Sequence, residues 1–371
     1  MSADMIKSLA RAEAIGLSIY NSGLSDQAVR QRFNVTHIAR LASNENPLGA
    51  SPDVVRAINL SAPESAVYPD PASLELREAL ARQCGMTADL VVMGNGSEDL
   101  LKLLCLAFVN PGDRVVTLLP SFGLHHIYPR MMGAEIAMVP VDPRMEYDLP
   151  GWERALNLPS KLVIFSNPSN PVGCMLDNDG FERLIAAAPA DCLLVVDEAY
   201  YEYCADLADY PDSLTLLRNQ PRPWIVLRTF SKAYGLAGLR IGYGLASDPA
   251  IVEILDRVRT PFNINRGAQA AALAALHDRR HVLRSVAHVR AQRGALRQAL
   301  IAMGLTVAPS QANFLFFRVP GEGAAVAEKL LAYGVIVKPW LETGYRDWLR
   351  VSIGTETDQQ IFLQALHEVL K

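Results

Sequence analysis

Residues 227–240 read LRTFSKAYGLAGLR and contain the side chain best placed for covalent chemistry, Lys232. Lysines are nearly always solvated surface groups. One set among Ser, Ala, Gly and Leu just after an apolar run is placed for partial burial. Burial lowers a lysine pKa from about 10.4 and makes the amine nucleophilic. Schiff-base chemistry with a carbonyl compound requires such a lysine. Arg240, eight residues on, adds a planar fork suited to a phosphate.

Three further segments carry candidate groups. Residues 90–98, LVVMGNGSE, run from an apolar strand through two glycines into a helix start. Converging N–H groups and the positive end of the helix dipole there suit an anion, although such glycines often do no more than make a turn. This is not a dinucleotide fingerprint, because Asp99 stands where a third glycine belongs. Residues 165–173, FSNPSNPVG, place two Asn-Pro steps after a strand, forcing a non-helical loop that displays Asn170 as a fixed amide. Residues 193–200, LLVVDEAY, end a buried strand in Asp197, with Tyr200 three residues on.

Rival chemistries find less support. An apolar strand ending in Asp-Glu also suits a P-loop ATPase, but no G-x-x-x-x-G-K-[ST] string occurs. No G-x-S-x-G string marks a serine hydrolase. Among seven histidines, His277 and His281 alone share a helix spacing, in an arginine-rich stretch that reads as surface. The neighbours His125 and His126 must point to different sides of their element. No metal site is expected.

These groups need a scaffold that brings strand ends together. Apolar runs at 90–93, 114–118, 134–139, 161–165, 192–196, 224–228 and 239–245 read as strands, separated by helical patterns such as 97–109, 178–188 and 248–259. Near-continuous apolar strands imply a sheet covered on both faces, hence an α/β fold with a mainly parallel seven-stranded sheet. Open α/β sheets bind ligands beyond the carboxyl ends of their strands. After residue 260 a long helical stretch, 268–304, has a plausible break at 277–280. Short strands at 305–308, 313–318, 335–338 and 348–353 then alternate with helices 324–333 and 358–370, which reads as a smaller α+β domain. The expected division is an N-terminal arm (1–46) joined to the small domain, a large domain (47–290) and a C-terminal small domain (291–371).

Composition agrees with an enzyme of this build. The 371 residues are half apolar and one fifth charged, with formal net charge -4. No basic stripe suggests nucleic acid. Arg279, Arg280, Arg284 and Arg290 fall at helical spacing and read as a solvated face. Cysteines 84, 105, 174, 192 and 204 show no metal-ligand spacing and fit a reducing compartment. The first sixteen residues lack a signal peptide's apolar core, and no run nears the roughly 20 residues of a membrane span. A cytoplasmic enzyme is expected.

Taken in order, Asn170, Asp197 with Tyr200, Lys232 and Arg240 resemble the fold-type I pyridoxal-phosphate enzymes, the class of aspartate aminotransferase. Within that class nearly the whole chain resembles the histidinol-phosphate aminotransferase family. The matching strings are LASNENPLG (41–49), YPD (68–70), GNGSE (94–98), NPSNPVG (167–173), DEAY (197–200), residues 231–243, RTPFNIN (259–265), ANF (312–314) and LRVSIGT (349–355). The stretch 20–23 is similar to that family's opening, without its usual prolines.

The resemblance implies pyridoxal 5'-phosphate on Lys232, with Asp197 pairing the pyridine nitrogen. It implies that Asn170 and Tyr200 bond the ring's phenolate oxygen and that Phe122 stacks on the ring. Gly96, Ser97, Thr229, Ser231 and Arg240 are implied at the phosphate, with Tyr68 reaching it from the partner of a homodimer, and Glu98 is implied among the cofactor contacts. Tyr20, Asn46, Lys338 and Arg350 are implied as substrate contacts, and 2-oxoglutarate as the amino acceptor. One position departs: the family follows its Gly-Val-Ile-Val strand with arginine, whereas residues 334–338 read GVIVK, and Pro339 and Trp340 also differ. A lysine keeps the charge and loses the bidentate fork. Transamination of histidinol phosphate, transamination of an aromatic amino acid, and decarboxylation by a relative therefore all remain open at this stage.

Overall fold

Seven strands of the computed structural model, which describes residues 3–17 and 24–371, assemble into one sheet. After the short β1 (Ala39–Arg40), these are β2 (Val91–Gly94), β3 (Arg114–Leu119), β4 (Glu135–Pro140), β5 (Leu162–Ser166), β6 (Leu193–Asp197), β7 (Trp224–Thr229) and β8 (Gly242–Ala246). Their order across the sheet is β2-β8-β7-β6-β5-β3-β4. β8 runs antiparallel to both neighbours and the remaining pairings are parallel.

Side-chain alternation explains why these runs read as continuously apolar. On β5, Leu162 and Ile164 join one core and Val163 and Phe165 another; on β6, Leu193 and Val195 divide from Leu194 and Val196 in the same way. Both faces are covered, so neither half of the alternation can be polar. The helices Ser97–Phe108 and Pro249–Val258 cover one face, while Leu149–Leu156, Asn178–Ala187 and Arg266–His277 contribute to the other core. Several begin at side-chain caps: Asp177 accepts from Gly180 N, and Asn265 from Ala268 N.

A second unit is built on β9 (Phe314–Arg318), β10 (Val335–Ile336), β11 (Lys338–Pro339) and β12 (Trp348–Ser352). β11, β12 and β9 form an antiparallel sheet in which Lys338 lies opposite Arg350. β1 pairs in parallel with β10, and Val29 of the helix Asp26–Phe33 packs on Leu331 and Ile336, so the N-terminal segment belongs to this unit's packing.

Sequence expectations and structure differ at a few edges. Residues 305–308 form no strand, only an isolated bridge from Val307 to Phe317. The run 335–338 splits into β10 and β11, which bond to different partners. The run 239–245 starts as strand only at Gly242, because Arg240 takes a left-handed conformation, φ 55°. Asp278 divides the helical stretch into Arg266–His277 and Arg279–Ala302. A boundary at residue 290 falls inside the second of these, whose Val286 and Val289 pack into the core of the C-terminal unit. Among the described residues no helix is long and apolar enough to cross a membrane.

Candidate active site

The carboxyl ends of β3, β5, β6 and β7 open on one cavity of about 270 Å³, closed on its far side by residues 42–45 and by Lys338 and Arg350. Its walls contain Ser97, Glu98, Phe122, Asn170, Asp197, Tyr200, Thr229, Ser231, Lys232, Arg240, Lys338 and Arg350. These residues span more than 250 positions of chain; the large sheet gathers those that end or follow its strands, while Lys338 and Arg350 come from β11 and β12 of the second unit.

One end is an anion cup. The helix Ser97–Phe108 starts directly after Gly96, whose φ of 84° is left-handed. A Cβ built on Gly96 would stand 2.5 Å from Arg240 Nη2, so only glycine lets the guanidinium approach. Gly242 is constrained too: its Cβ would meet Ser97 N at 2.3 Å. Arg240 Nη1 donates to Ala237 O at 3.2 Å, and Thr229 Oγ1 donates to Ser231 Oγ at 2.9 Å. Helix dipole, hydroxyls and guanidinium converge as a phosphate requires. Glu98 sits at the rim, 3.5 Å from Arg240 Nη2, and accepts from Tyr128 Oη at 3.0 Å.

In the middle lies Asp197, 4% exposed. Its Oδ1 accepts from Ala199 N at 3.0 Å and its Oδ2 lies 3.0 Å from His125 Nε2. His125 Nδ1 is in turn 3.0 Å from Ser121 Oγ, so both ring nitrogens are engaged. Sequence reasoning missed His125; the available signal was a histidine on an apolar helix face right after the β3 turn.

Lys232 is partly accessible from the cavity, and its Nζ donates to Ser43 O at 3.0 Å. Burial, then the positive charge of Arg350, lowers its pKa to about 8. Lys338 is also lowered to about 8, by burial and Arg350. Arg350, 7% exposed, donates from Nη1 to Asn170 Oδ1 at 2.6 Å and from Nη2 to Ala42 O at 2.5 Å. That contact occupies the Asn170 carbonyl and leaves its NH2 as the donor for a ligand. Asn44 Nδ2 donates to Tyr200 Oη at 2.9 Å.

The remaining candidates sit elsewhere. Asn46 does not line the cavity: its Nδ2 donates to Ala233 O at 2.8 Å and Ser285 Oγ at 2.9 Å, tying the segment to the lysine loop. Asn44, Ser43 and Glu45 hold the wall instead. Tyr68 is 75% exposed and stacked on Phe262 at 4.5 Å, outside this chain's cavity. Tyr20 lies outside the described residues. Among those residues no group of three or more His, Cys, Asp and Glu is arranged to hold a metal.

An α/β sheet with a lowered-pKa lysine, an anion cup at one end and paired cations at the other fits an enzyme that works through a lysine amine on anionic ligands. The chain belongs to the class I and II aminotransferase family, whose model matches residues 36–366. It is 47% identical over 362 residues to histidinol-phosphate aminotransferase 1 of Mesorhizobium japonicum, covering 98% of each chain. It is 44% identical over 359 residues to histidinol-phosphate aminotransferase 3 of Rhizobium meliloti, covering 97% of each. A crystal structure of histidinol-phosphate aminotransferase from Sinorhizobium meliloti, in complex with pyridoxal-5'-phosphate, superposes with TM-score 0.89 at 28% identity over 98% of each chain.

Proposed function

We propose that this aminotransferase carries pyridoxal phosphate on Lys232 and exchanges the amino group of histidinol phosphate with 2-oxoglutarate. The observation that carries the substrate half is the pairing of Lys338 and Arg350. They lie opposite each other on β11 and β12, and both face the cavity away from the Arg240 cup. A cofactor phosphate would take the cup, so a second cation pair points to a donor and an acceptor that each carry a further acidic group. The relatives named above support phosphate on the donor.

The residues present fit the cofactor: a cup for its phosphate, Phe122 as a wall for its ring, and Asp197 for its nitrogen. Bound there, pyridoxal phosphate supplies an electron-accepting ring that stabilises charge at the donor's α-carbon. Asp197, held by His125 and Ala199 N, keeps a proton on the pyridine nitrogen. Asn170 and Tyr200 would bond the ring's phenolic oxygen. Lys232 would hold the cofactor and, as the amine nearest the donor, would carry the proton moved during the transfer. Arg350 binds the acidic group of each partner, and Lys338 assists on phosphate. The working form in this reading is a cytoplasmic homodimer, with the exposed Tyr68 reaching the partner's phosphate.

A substrate panel tests it. Histidinol phosphate should discharge the cofactor's absorbance faster than phenylalanine, tyrosine, glutamate or threonine phosphate, with 2-oxoglutarate restoring it and no carbon dioxide released. Lys338→Arg should tighten histidinol phosphate more than the aromatic amino acids, since arginine forks phosphate bidentately. Efficient turnover of aromatic donors with no response to Lys338→Arg would remove the substrate assignment and leave the aminotransferase.

A further inference from the structure

We infer that Trp340, Glu342 and His126 form a positioning relay that fixes Arg350 for capture of the substrate's acidic group. The inference rests on the reading of Arg350 as that group's ligand.

Arg350 is held by more than its hydrogen bonds to Asn170 and Ala42. Its Cζ lies 5.4 Å from the Phe314 ring centroid and 5.9 Å from that of Trp340, so two aromatic rings flank the guanidinium. Trp340 is itself located by an edge contact with Phe316 at 5.8 Å. A buried indole N–H needs an acceptor, and Trp340 Nε1 donates to Glu342 Oε2 at 2.7 Å. The other carboxylate oxygen of Glu342 lies 3.3 Å from His126 Nε2, with both side chains largely buried.

His126 comes from the other unit. It lies on the helix Leu124–Met131, which also presents His125 to Asp197. Adjacent histidines thus face opposite ways, one to the carboxylate of the cofactor site and one to the segment between β11 and β12. That segment is tethered a second time, by Tyr345 Oη donating to Leu119 O at 3.3 Å at the end of β3. The orientation of the Trp340 ring, and through it that of Arg350, is therefore set by the large unit through Glu342. None of these three side chains lines the cavity, so their effect on a ligand passes through Arg350.

A contact made equally to bound substrate and transition state appears in KM and leaves kcat unchanged. The test compares Glu342→Leu, Trp340→Phe and Arg350→Lys holoenzymes, leucine being chosen because a glutamine would still accept from the indole. The measurements are KM and kcat for 2-oxoglutarate, binding of the unreactive dicarboxylate succinate from the cofactor's absorbance, cofactor affinity, and melting temperature. Glu342→Leu and Trp340→Phe should each weaken 2-oxoglutarate and succinate by about three- to tenfold, the scale of one hydrogen bond. Their kcat and cofactor affinity should hold within about twofold of wild type. Unchanged succinate binding in both, with Arg350→Lys weakened, overturns the relay. Cofactor affinity, melting temperature and kcat falling together overturns it as well, because that is the signature of a general structural role. Unaltered binding in Arg350→Lys removes the underlying assignment of Arg350 and the relay with it.

Discussion

The amine of Lys232 offers the sharpest test, because its acidity follows from where the fold puts it. An ordinary lysine titrates near 10.5, and burial followed by Arg350 brings this one to about 8. Both causes disfavour the charged form: burial strips solvent from the ammonium, and a nearby guanidinium repels it. At pH 8 about half of such amines are neutral, against roughly 0.3% for an ordinary lysine, an advantage on the order of a hundredfold. The assay is capture of pyridoxal phosphate by the apoenzyme from pH 6 to 10, trapped with borohydride and mapped by peptide mass spectrometry. The capture rate should rise through pH 8 and then level off, with label on Lys232. Mapping matters because Lys338 is lowered to about 8 as well. Arg350→Leu should move the midpoint upward, since it removes the second cause. The same shift makes a stability statement for the apoenzyme. Between about 8 and 10.5 the unfolded chain binds more protons at this site than the folded one, so its contribution to stability rises with pH across that window. A midpoint near 10.5, or label on Lys102, Lys161 or Lys338, would refute the reasoning.

Asp197→Asn should retain cofactor yet transaminate about a hundredfold or more slowly, the scale of one lost preorganised electrostatic contact; activity within threefold of wild type, in single-turnover kinetics, would show the residue misassigned. Mixing Tyr68→Ala with Lys232→Ala subunits, each inactive alone, should restore partial activity, because one site of each mixed dimer then has both residues. Proven subunit exchange without recovery would place Tyr68 in its own chain's chemistry. Glu198→Ala should cost about 3–5 kcal/mol in thermal or urea unfolding, because it strands a buried charge. Glu198 Oε2 is 2.8 Å from Arg228 Nη2, with both side chains enclosed and Arg228 also stacked 3.5 Å over Tyr201.

The sequence alone carried the groups that sit at the ends of regular elements. Asn170, Asp197 and Lys232 each end or follow a strand whose both-faces burial shows as an unbroken apolar run. The glycines at 94 and 96 mark the turn into the helix at Ser97. Local period and turn chemistry encode such positions, so strand limits came out within a residue or two for six of the seven sheet strands. The seventh began late because Arg240 takes a left-handed conformation, which no period announces.

What the tertiary structure decided lies where local period breaks down. Asn44 and Asn46, two apart in one string, would share a face in an extended segment. The left-handed Asn44, φ 56°, bends the chain, so Asn44 meets Tyr200 at the cavity while Asn46 turns to Ala233 and Ser285. His125 and His126 are likewise adjacent and unremarkable in sequence, and their partners, Asp197 and Glu342, lie in separate units of the fold. Lysine acidity belongs to the same class: small neighbours at 231–235 suggested burial, but the second cause, Arg350, is 118 positions away by numbering. Desolvation and charge act through space, so their magnitudes at Lys232 exist only once β12 has been folded back against the carboxyl edge of the large sheet.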